Sequence, residues 1–116
     1  MPKRVLLIGD IGDDNYFFST CQKIFLSTPV FIKNTMQDVD VLLKAEDSDV
    51  IFIRIDQDYR YKVLLSCKIK TKIPRACVVW IAANSRYALP AFENNIDGYI
   101  ELPITEAKIG AILKRL

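Results

Sequence analysis

Short runs of consecutive apolar residues recur along the chain, separated by segments of a different periodicity. Five such runs lie at residues 5–8, 30–32, 50–55, 77–81 and 99–102, the third interrupted by Arg54 and the fifth by Glu101. A continuous apolar run of this length is typical of a strand buried on both faces, as in a parallel sheet. The runs therefore predict five strands of one parallel sheet.

The intervals between these runs carry apolar residues at helical spacing. In the first interval, Phe17, Cys21 and Ile24 fall on one face, and the acids just before them can cap a helix. Further helices are predicted at about 37–45, 59–67, 85–95 and 106–115, the last capped by Thr105. The alternating segment 68–73 is bounded by Pro74 and is not assigned to the third helix.

The resulting order, five times strand then helix, indicates the fold class. Parallel strands joined by helical crossovers form a sheet that is covered on both faces. We therefore predict a flavodoxin-like three-layer α/β sandwich with five strands and five helices. Its length of 116 residues suits a single domain over residues 1–116.

Composition narrows the class of protein. Hydrophobic residues are 51% and charged residues 26%, an ordinary globular balance that excludes intrinsic disorder. No apolar run approaches the ~20 residues that span a bilayer, so we expect a cytoplasmic protein without a membrane segment. The net charge of +2 is too small to argue for nucleic acid.

One stretch, residues 59–75, is basic and holds no acid. It is interpreted either as a patch for an acidic partner or, more simply, as the solvated face of the third helix and the loop after it. No DNA- or RNA-binding motif accompanies it, so this domain by itself is not expected to bind nucleic acid.

The residues available for chemistry are few. The chain has no histidine, which removes imidazole-ligated metals and histidine-activated nucleophiles. Cys21, Cys67 and Cys77 are too scattered for a zinc site or a disulfide framework and are expected to be small buried hydrophobes. The first strand is followed by several aspartates rather than by a glycine-rich phosphate cradle. We therefore predict no cofactor and no metal.

Three stretches, residues 5–10, 49–53 and 87–104, resemble the receiver domain of bacterial two-component response regulators. The resemblance covers nearly the whole chain and implies a CheY-like sheet of order 2-1-3-4-5. Leu102-Pro103-Ile104 is similar to the Lys-Pro-Ile of receivers attached to LytTR-type DNA-binding domains. The resemblance also implies a cis bond between Leu102 and Pro103.

The working positions of a receiver are changed in this chain. Phosphoryl transfer to an aspartate needs paired acids for Mg²⁺, a hydroxyl and a lysine, since charge must be neutralised around the phosphorus. Gly9 replaces the first acid and leaves only Asp10. The acceptor position holds Arg54, the hydroxyl position Ala82 and the lysine position Leu102. The resemblance thus implies a non-catalytic pseudo-receiver that signals without phosphorylation.

Two interpretations of Arg54 remain open. Its guanidinium can neutralise the pocket permanently by pairing with Asp10, Asp13 or Asp56, or it can simply fill a decayed site and reach solvent. Asp56 keeps the strand parity of an acceptor but lies ~7 Å further along the chain, in the loop.

Partners are expected to be proteins. Tyr87, Tyr99 and the last helix share the face that receivers use to dimerise, so we expect a homodimer or a protein partner there. Tyr99 holds the family's aromatic switch position, but Ala82 offers no hydroxyl to draw its ring inward. Two alternatives stay open for an output domain: it follows Leu116, or it is absent. The alternative function is a small-ligand-binding or enzymatic flavodoxin-like domain.

Overall fold

A parallel sheet forms the centre of the computed structural model, which describes residues 5–25, 30–32, 50–56 and 59–114. Its five strands lie in the order β2-β1-β3-β4-β5. They are β1 (Val5–Ile8), β2 (Val30–Ile32), β3 (Val50–Arg54), β4 (Cys77–Ala82) and β5 (Gly98–Glu101). The predicted flavodoxin-like parallel sheet is confirmed, and the order is the one that the receiver resemblance implies.

Four helices, not the five predicted, belong to the described residues. They are α1 (Asp14–Phe25), α2 (Tyr59–Lys72), α3 (Ala88–Glu93) and α4 (Glu106–Leu113). The helix predicted at 37–45 lies outside the described residues. Within the described ranges, none of the helices has the length and apolar character needed to cross a membrane.

Helix α2 extends beyond its predicted end at residue 67. The alternating segment continues the helix because Ile69 is fully buried against the sheet. The Thr71 hydroxyl donates to the Cys67 carbonyl at 2.9 Å, and the Ile73 amide donates to the Ile69 carbonyl at 2.7 Å. The helix ends at Lys72, just before Pro74, which cannot donate a backbone hydrogen bond.

The helix predicted at 85–95 divides into two parts. A 3₁₀ turn, Ser85–Tyr87, is capped by the Asn84 side chain, which accepts from the Arg86 amide at 2.9 Å. Helix α3 follows and holds Pro90 in its first turn, where the missing amide costs no helical hydrogen bond. The predicted Thr105 cap of α4 is present, since its hydroxyl accepts from the Lys108 amide at 3.2 Å.

Each face of the sheet carries its own core. Helices α2 and α3 cover one face, around Trp80, and helices α1 and α4 cover the other, around Phe17. The Phe17 ring meets Phe52 edge-on, with 5.1 Å between centroids. Cys21 is buried as predicted, and its burial raises the pKa of the thiol to about 12. Cys67 is exposed instead, because it lies on the side of α2 opposite to the buried Leu65 and Ile69.

The turn between β5 and α4 begins with a cis bond between Leu102 and Pro103, as the resemblance implied. Lys108 closes this turn from helix α4. Its ammonium donates to the Glu101 carbonyl at 2.7 Å and to the Pro103 carbonyl at 3.0 Å. The turn thus positions Leu102 beside the ends of β1 and β4.

Trp80 and α2 are joined by a buried hydrogen bond that can be tested. The Trp80 indole donates to the Ser66 hydroxyl at 2.9 Å. We expect Ser66→Ala to lower the free energy of unfolding by about 1–3 kcal/mol, because the buried indole N–H loses its acceptor. Cys67→Ala, at the exposed neighbouring position, should change it by less than ~0.5 kcal/mol. Urea unfolding followed by circular dichroism measures both, and equal losses would contradict the assigned role of this hydrogen bond.

Candidate functional site at the carboxyl edge of the sheet

The carboxyl ends of the strands bring most of the predicted pocket residues together. Ile8 pairs with Ile53 and Arg54 pairs with Ile81, so Gly9, Arg54 and Ala82 follow one another across the edge. Leu102 joins them, because its amide donates to the Ala82 carbonyl at 2.8 Å. Open α/β sheets bind their ligands at this edge.

Gly9 makes the closest contact of the pocket. Its φ of +106° lies in a region that side-chain-bearing residues rarely adopt. A Cβ atom at this position would lie 2.7 Å from the Cβ of Arg54. Because a Cβ is fixed to the backbone, an aspartate here, as in a working receiver, would require β1 and β3 to move apart. The position of the residue 54 Cβ therefore excludes a side chain at residue 9 in this backbone arrangement.

Lys62 is part of the pocket, although it belongs to the basic stretch 59–75 that we interpreted as a partner patch or a solvated face. It extends from the first turn of α2 and is only 6% exposed. Its ammonium donates to the Arg54 carbonyl at 2.8 Å and lies 3.4 Å from the position of a Cβ on Gly9. A signal for this existed, since Lys62, Leu65 and Ile69 recur at helical spacing on the buried side.

The pocket carboxylates bind their own loop. The Oδ1 atom of Asp10 accepts from the Gly12 amide at 2.9 Å. The Oδ1 atom of Asp13 accepts from the Tyr16 amide at 3.0 Å, in the first turn of α1. Both side chains are exposed, and these short-range bonds orient them toward the backbone that follows β1.

Arg54 lies in the pocket with a half-buried side chain, and its Nε atom is buried without a hydrogen-bond partner. It thus brings positive charge to the pocket. Both interpretations of its role, pairing with a carboxylate and filling of a decayed site, stay predictions.

The arrangement does not suit the Mg²⁺ ion of working receivers. Mg²⁺ requires oxygen ligands in near-octahedral geometry, chiefly carboxylates and water. At Gly9 the nearest charged group is instead the Lys62 ammonium. Among the described residues, no group of three or more acidic, cysteine or histidine side chains is placed to hold a metal ion.

Leu102 and Pro103, two of the predicted pocket residues, line an apolar groove. Leu102 is half-buried where a receiver has lysine, while Ala82 is fully buried. A groove of about 520 Å³ lies beside Leu102; it is lined by Ile11, Asp13, Tyr16, Leu102, Pro103 and Ile104. This end of the pocket therefore presents aliphatic carbon where phosphoryl transfer would need a cation.

Tyr99 and Tyr87 form a connected pair next to the pocket. The Tyr99 hydroxyl donates to the Asn84 carbonyl and accepts from the Tyr87 amide at 3.3 Å. The backbone after β4 thus binds the Tyr99 hydroxyl, a contact that does not involve Ala82. The Tyr87 ring stacks on Tyr59 at 5.0 Å, and its hydroxyl donates to the Asp56 carbonyl at 3.2 Å.

These contacts affect the acidity of Tyr99. Partial burial raises the pKa of the Tyr99 phenol above its ordinary value, and the negative charge of Glu101 acts in the same direction. The hydrogen bond from the Tyr87 amide opposes this shift. The net increase keeps the phenol neutral, and hence able to donate to Asn84, across the physiological pH range.

No protein-family model and no curated protein sequence matches the chain. Solved structures do match. The response regulatory domain of protein mrkE from Klebsiella pneumoniae is 24% identical, with a TM-score of 0.72 over 97% of this chain and 93% of that one. The CheY-like protein tadZ from Pseudomonas aeruginosa PAO1 is 15% identical, with a TM-score of 0.77 over 99% and 94%.

A third match holds a metal ion. The receiver domain of sensor histidine kinase PA1611 from Pseudomonas aeruginosa PAO1 has magnesium coordinated in its active-site cleft. It is 14% identical, with a TM-score of 0.75 over 99% of this chain and 97% of that one. The chain therefore has the CheY-like fold of response regulator receiver domains. The likeness to LytTR-type regulators stays a prediction.

The contact between Gly9 and Arg54 has a matched control in the same loop. Gly12 also has a positive φ, +89°, but a Cβ there would meet nothing within 4 Å. We expect Gly12→Ala to cost about 1–3 kcal/mol of stability from backbone strain alone. Gly9→Ala should cost about 1–3 kcal/mol more, because it also forces two Cβ atoms together. Thermal unfolding of both variants tests this, and equal losses would show that β1 and β3 separate freely.

Proposed function

We propose that this chain is a non-catalytic pseudo-receiver. It is a single receiver-like domain over residues 1–116 that acts through protein contacts and accepts no phosphoryl group. The observation that carries the proposal is the Lys62 ammonium, bonded to the Arg54 carbonyl at 2.8 Å beside Gly9. A cation that belongs to the chain thus occupies the edge where phosphorylation would need a metal and an aspartate.

The other pocket residues support the same conclusion. Arg54 has no carboxylate to attack phosphorus, and Ala82 has no hydroxyl to bond a transferred phosphoryl group. Leu102 has no charge to stabilise one. Each of these roles contributes separately to phosphoryl transfer, so restoring a single one would leave the others missing.

The proposal predicts that phosphodonors have no effect. Incubation with acetyl phosphate and Mg²⁺ should leave the intact mass of the protein unchanged, and beryllofluoride with Mg²⁺ should leave its amide NMR spectrum unchanged. A stoichiometric, hydroxylamine-labile phosphate on Asp56 or Asp10 would contradict the proposal.

A matched variant tests whether Arg54 alone silences the pocket. Arg54→Asp restores an acceptor carboxylate but keeps Lys62, Ala82 and Leu102. We expect this variant to remain unphosphorylated under the same conditions, by mass spectrometry. If Arg54→Asp were phosphorylated, the identity of residue 54 would suffice to explain the inactivity, and the role given to Lys62 would be wrong.

We further propose that the domain dimerises through the face formed by α3, β5 and α4. Two large apolar side chains on α3 are exposed, Leu89 at 67% and Phe92 at 81%. They stand three residues apart and so share one side of the helix. Tyr87 and Tyr99 join α3 to β5 through their hydrogen bond. Exposed apolar side chains grouped in this way are typical of protein interfaces.

This face predicts a specific change in oligomeric state. Phe92→Glu should shift the protein to monomer in sedimentation velocity, because it places charge in an apolar contact. Its melting temperature should stay within error of the parent, since Phe92 contributes little to the core. Leu64→Glu, an equally exposed apolar position on α2, serves as the control and should leave self-association unchanged. A parent protein that is monomeric at every concentration would point to a different protein as partner.

The alternative function, binding of a small ligand, has one observation in its favour. The groove beside Leu102 has a volume of about 520 Å³, within the range of ligand sites. Its aliphatic lining suits an apolar molecule rather than a nucleotide phosphate. This alternative would be favoured if a small apolar compound raised the melting temperature of the parent protein but not that of the Leu102→Lys variant.

A further inference from the structure

Helix α2 has basic residues along its length and no acidic residue. Lys70 and Lys72, in its last turn, suit the negative end of the helix dipole, which lies there. Arg60, in the first turn, faces the positive end of the dipole, so helix stability does not explain its charge.

Two of the cations on α2 have structural roles. Lys62 is buried and donates to the Arg54 carbonyl. Lys70 pairs with Asp97 at 2.6 Å, and the same Asp97 oxygen accepts from the Val78 amide at 2.8 Å. These two lysines attach α2 to the sheet and to the loop before β5. They are not part of the outward face.

The remaining positions form one continuous stripe. Arg60, Leu64, Cys67 and Thr71 recur at steps of four, three and four residues and are all exposed. Such spacing places them on one side of a helix. Lys72 and Arg75 are also exposed: Lys72 lies beside the stripe, about 100° around the helix from Thr71, and Arg75 follows the end of the helix. Leu64, 71% exposed, is its apolar centre.

We propose that this face of α2 docks an acidic segment of a partner protein, with Leu64 contacting an apolar side chain of that segment. Charge complementarity is the argument. Along the chain, Leu64 is preceded by Arg60 and followed by Lys72 and Arg75. A segment with carboxylates flanking an apolar residue would match this arrangement. None of these residues is among those assigned to the carboxyl-edge pocket or to the α3 face, so the inference does not depend on the proposed function.

Two other occupants fit the stripe less well. Nucleic acid presents phosphates along its whole backbone, whereas Leu64 offers nothing to a phosphate and only a few outward cations flank it. A membrane surface requires a broad apolar face inserted among the lipids, and a single exposed leucine does not provide one.

The test uses a defined probe and the whole chain. The probe is a fluorescein-labelled peptide of twelve residues, composed of glutamates around two leucines, followed by fluorescence anisotropy at low salt. The matched control peptide has glutamine in place of both leucines. We expect the first peptide to bind at least fivefold more tightly than the control and to weaken as salt rises. Its amide NMR perturbations should be confined to residues 60–75.

Variants assign the binding to the stripe. The double variant Arg60→Glu with Lys72→Glu should lose at least tenfold in affinity, and Leu64→Gln should lose severalfold. Arg86→Glu, a charge reversal on the α3 side, is the control and should bind like the parent. Circular dichroism melts confirm that each variant is folded. Failure of the peptide to bind, or perturbations outside α2, would overturn the proposal.

The other occupants are distinguished in the same experiment. A sixteen-base-pair DNA duplex and vesicles containing one-third phosphatidylserine are tested with the same variants. If the duplex or the vesicles bind more tightly than the peptide, and if the charge reversal abolishes that binding, the proposal is overturned in favour of that occupant. If the parent protein self-associates, and if reversing the charges of Arg60 and Lys72 abolishes this, the proposal is overturned in favour of a second copy of the chain.

Discussion

Burial of the central strands on both faces is the constraint on which the rest of the structure depends. The side chains of β1 and β4 are all buried, and those of β3 are buried up to Ile53. Such strands are stable only if helices cover both sides of the sheet. Because both faces are covered, only the ends of the strands are open to loops and solvent. The pocket residues lie at the carboxyl end.

Close packing at that end shapes the pocket. Arg54 approaches β1 so closely that residue 9 has no room for a side chain. The space that remains is taken by the Lys62 ammonium, which the Arg54 carbonyl holds. Gly9, Arg54 and Lys62 thus pack against one another. The positive charge at this edge follows from that packing as well as from the loss of individual acidic residues.

The sequence allowed the strands and most of the pocket to be predicted, because strand burial and motif position are local signals. Residues 5–8 and 30–32 matched their strands in full, and the cap at Thr105 was readable from one residue type. The end of α2 and the exposure of Cys67 were not predicted, because Ile69 reports its burial only once the sheet is present. Lys62 was missed because a lysine among other basic residues resembles a solvated side chain until its contact with Arg54 is known.

The hydrogen bonds around Ser66 give the protein an internal optical probe. Trp80, the single tryptophan, donates to Ser66, which donates to the Lys62 carbonyl at 2.8 Å. Lys62 in turn reaches Arg54 at the pocket. Two hydrogen bonds therefore connect the indole of Trp80, through Ser66, with Lys62, the residue that carries the pocket cation. Both Trp80 and Ser66 are buried in the core. A rearrangement of the pocket that moves α2 would change its emission, so events at the edge are observable in the unlabelled protein by its own fluorescence.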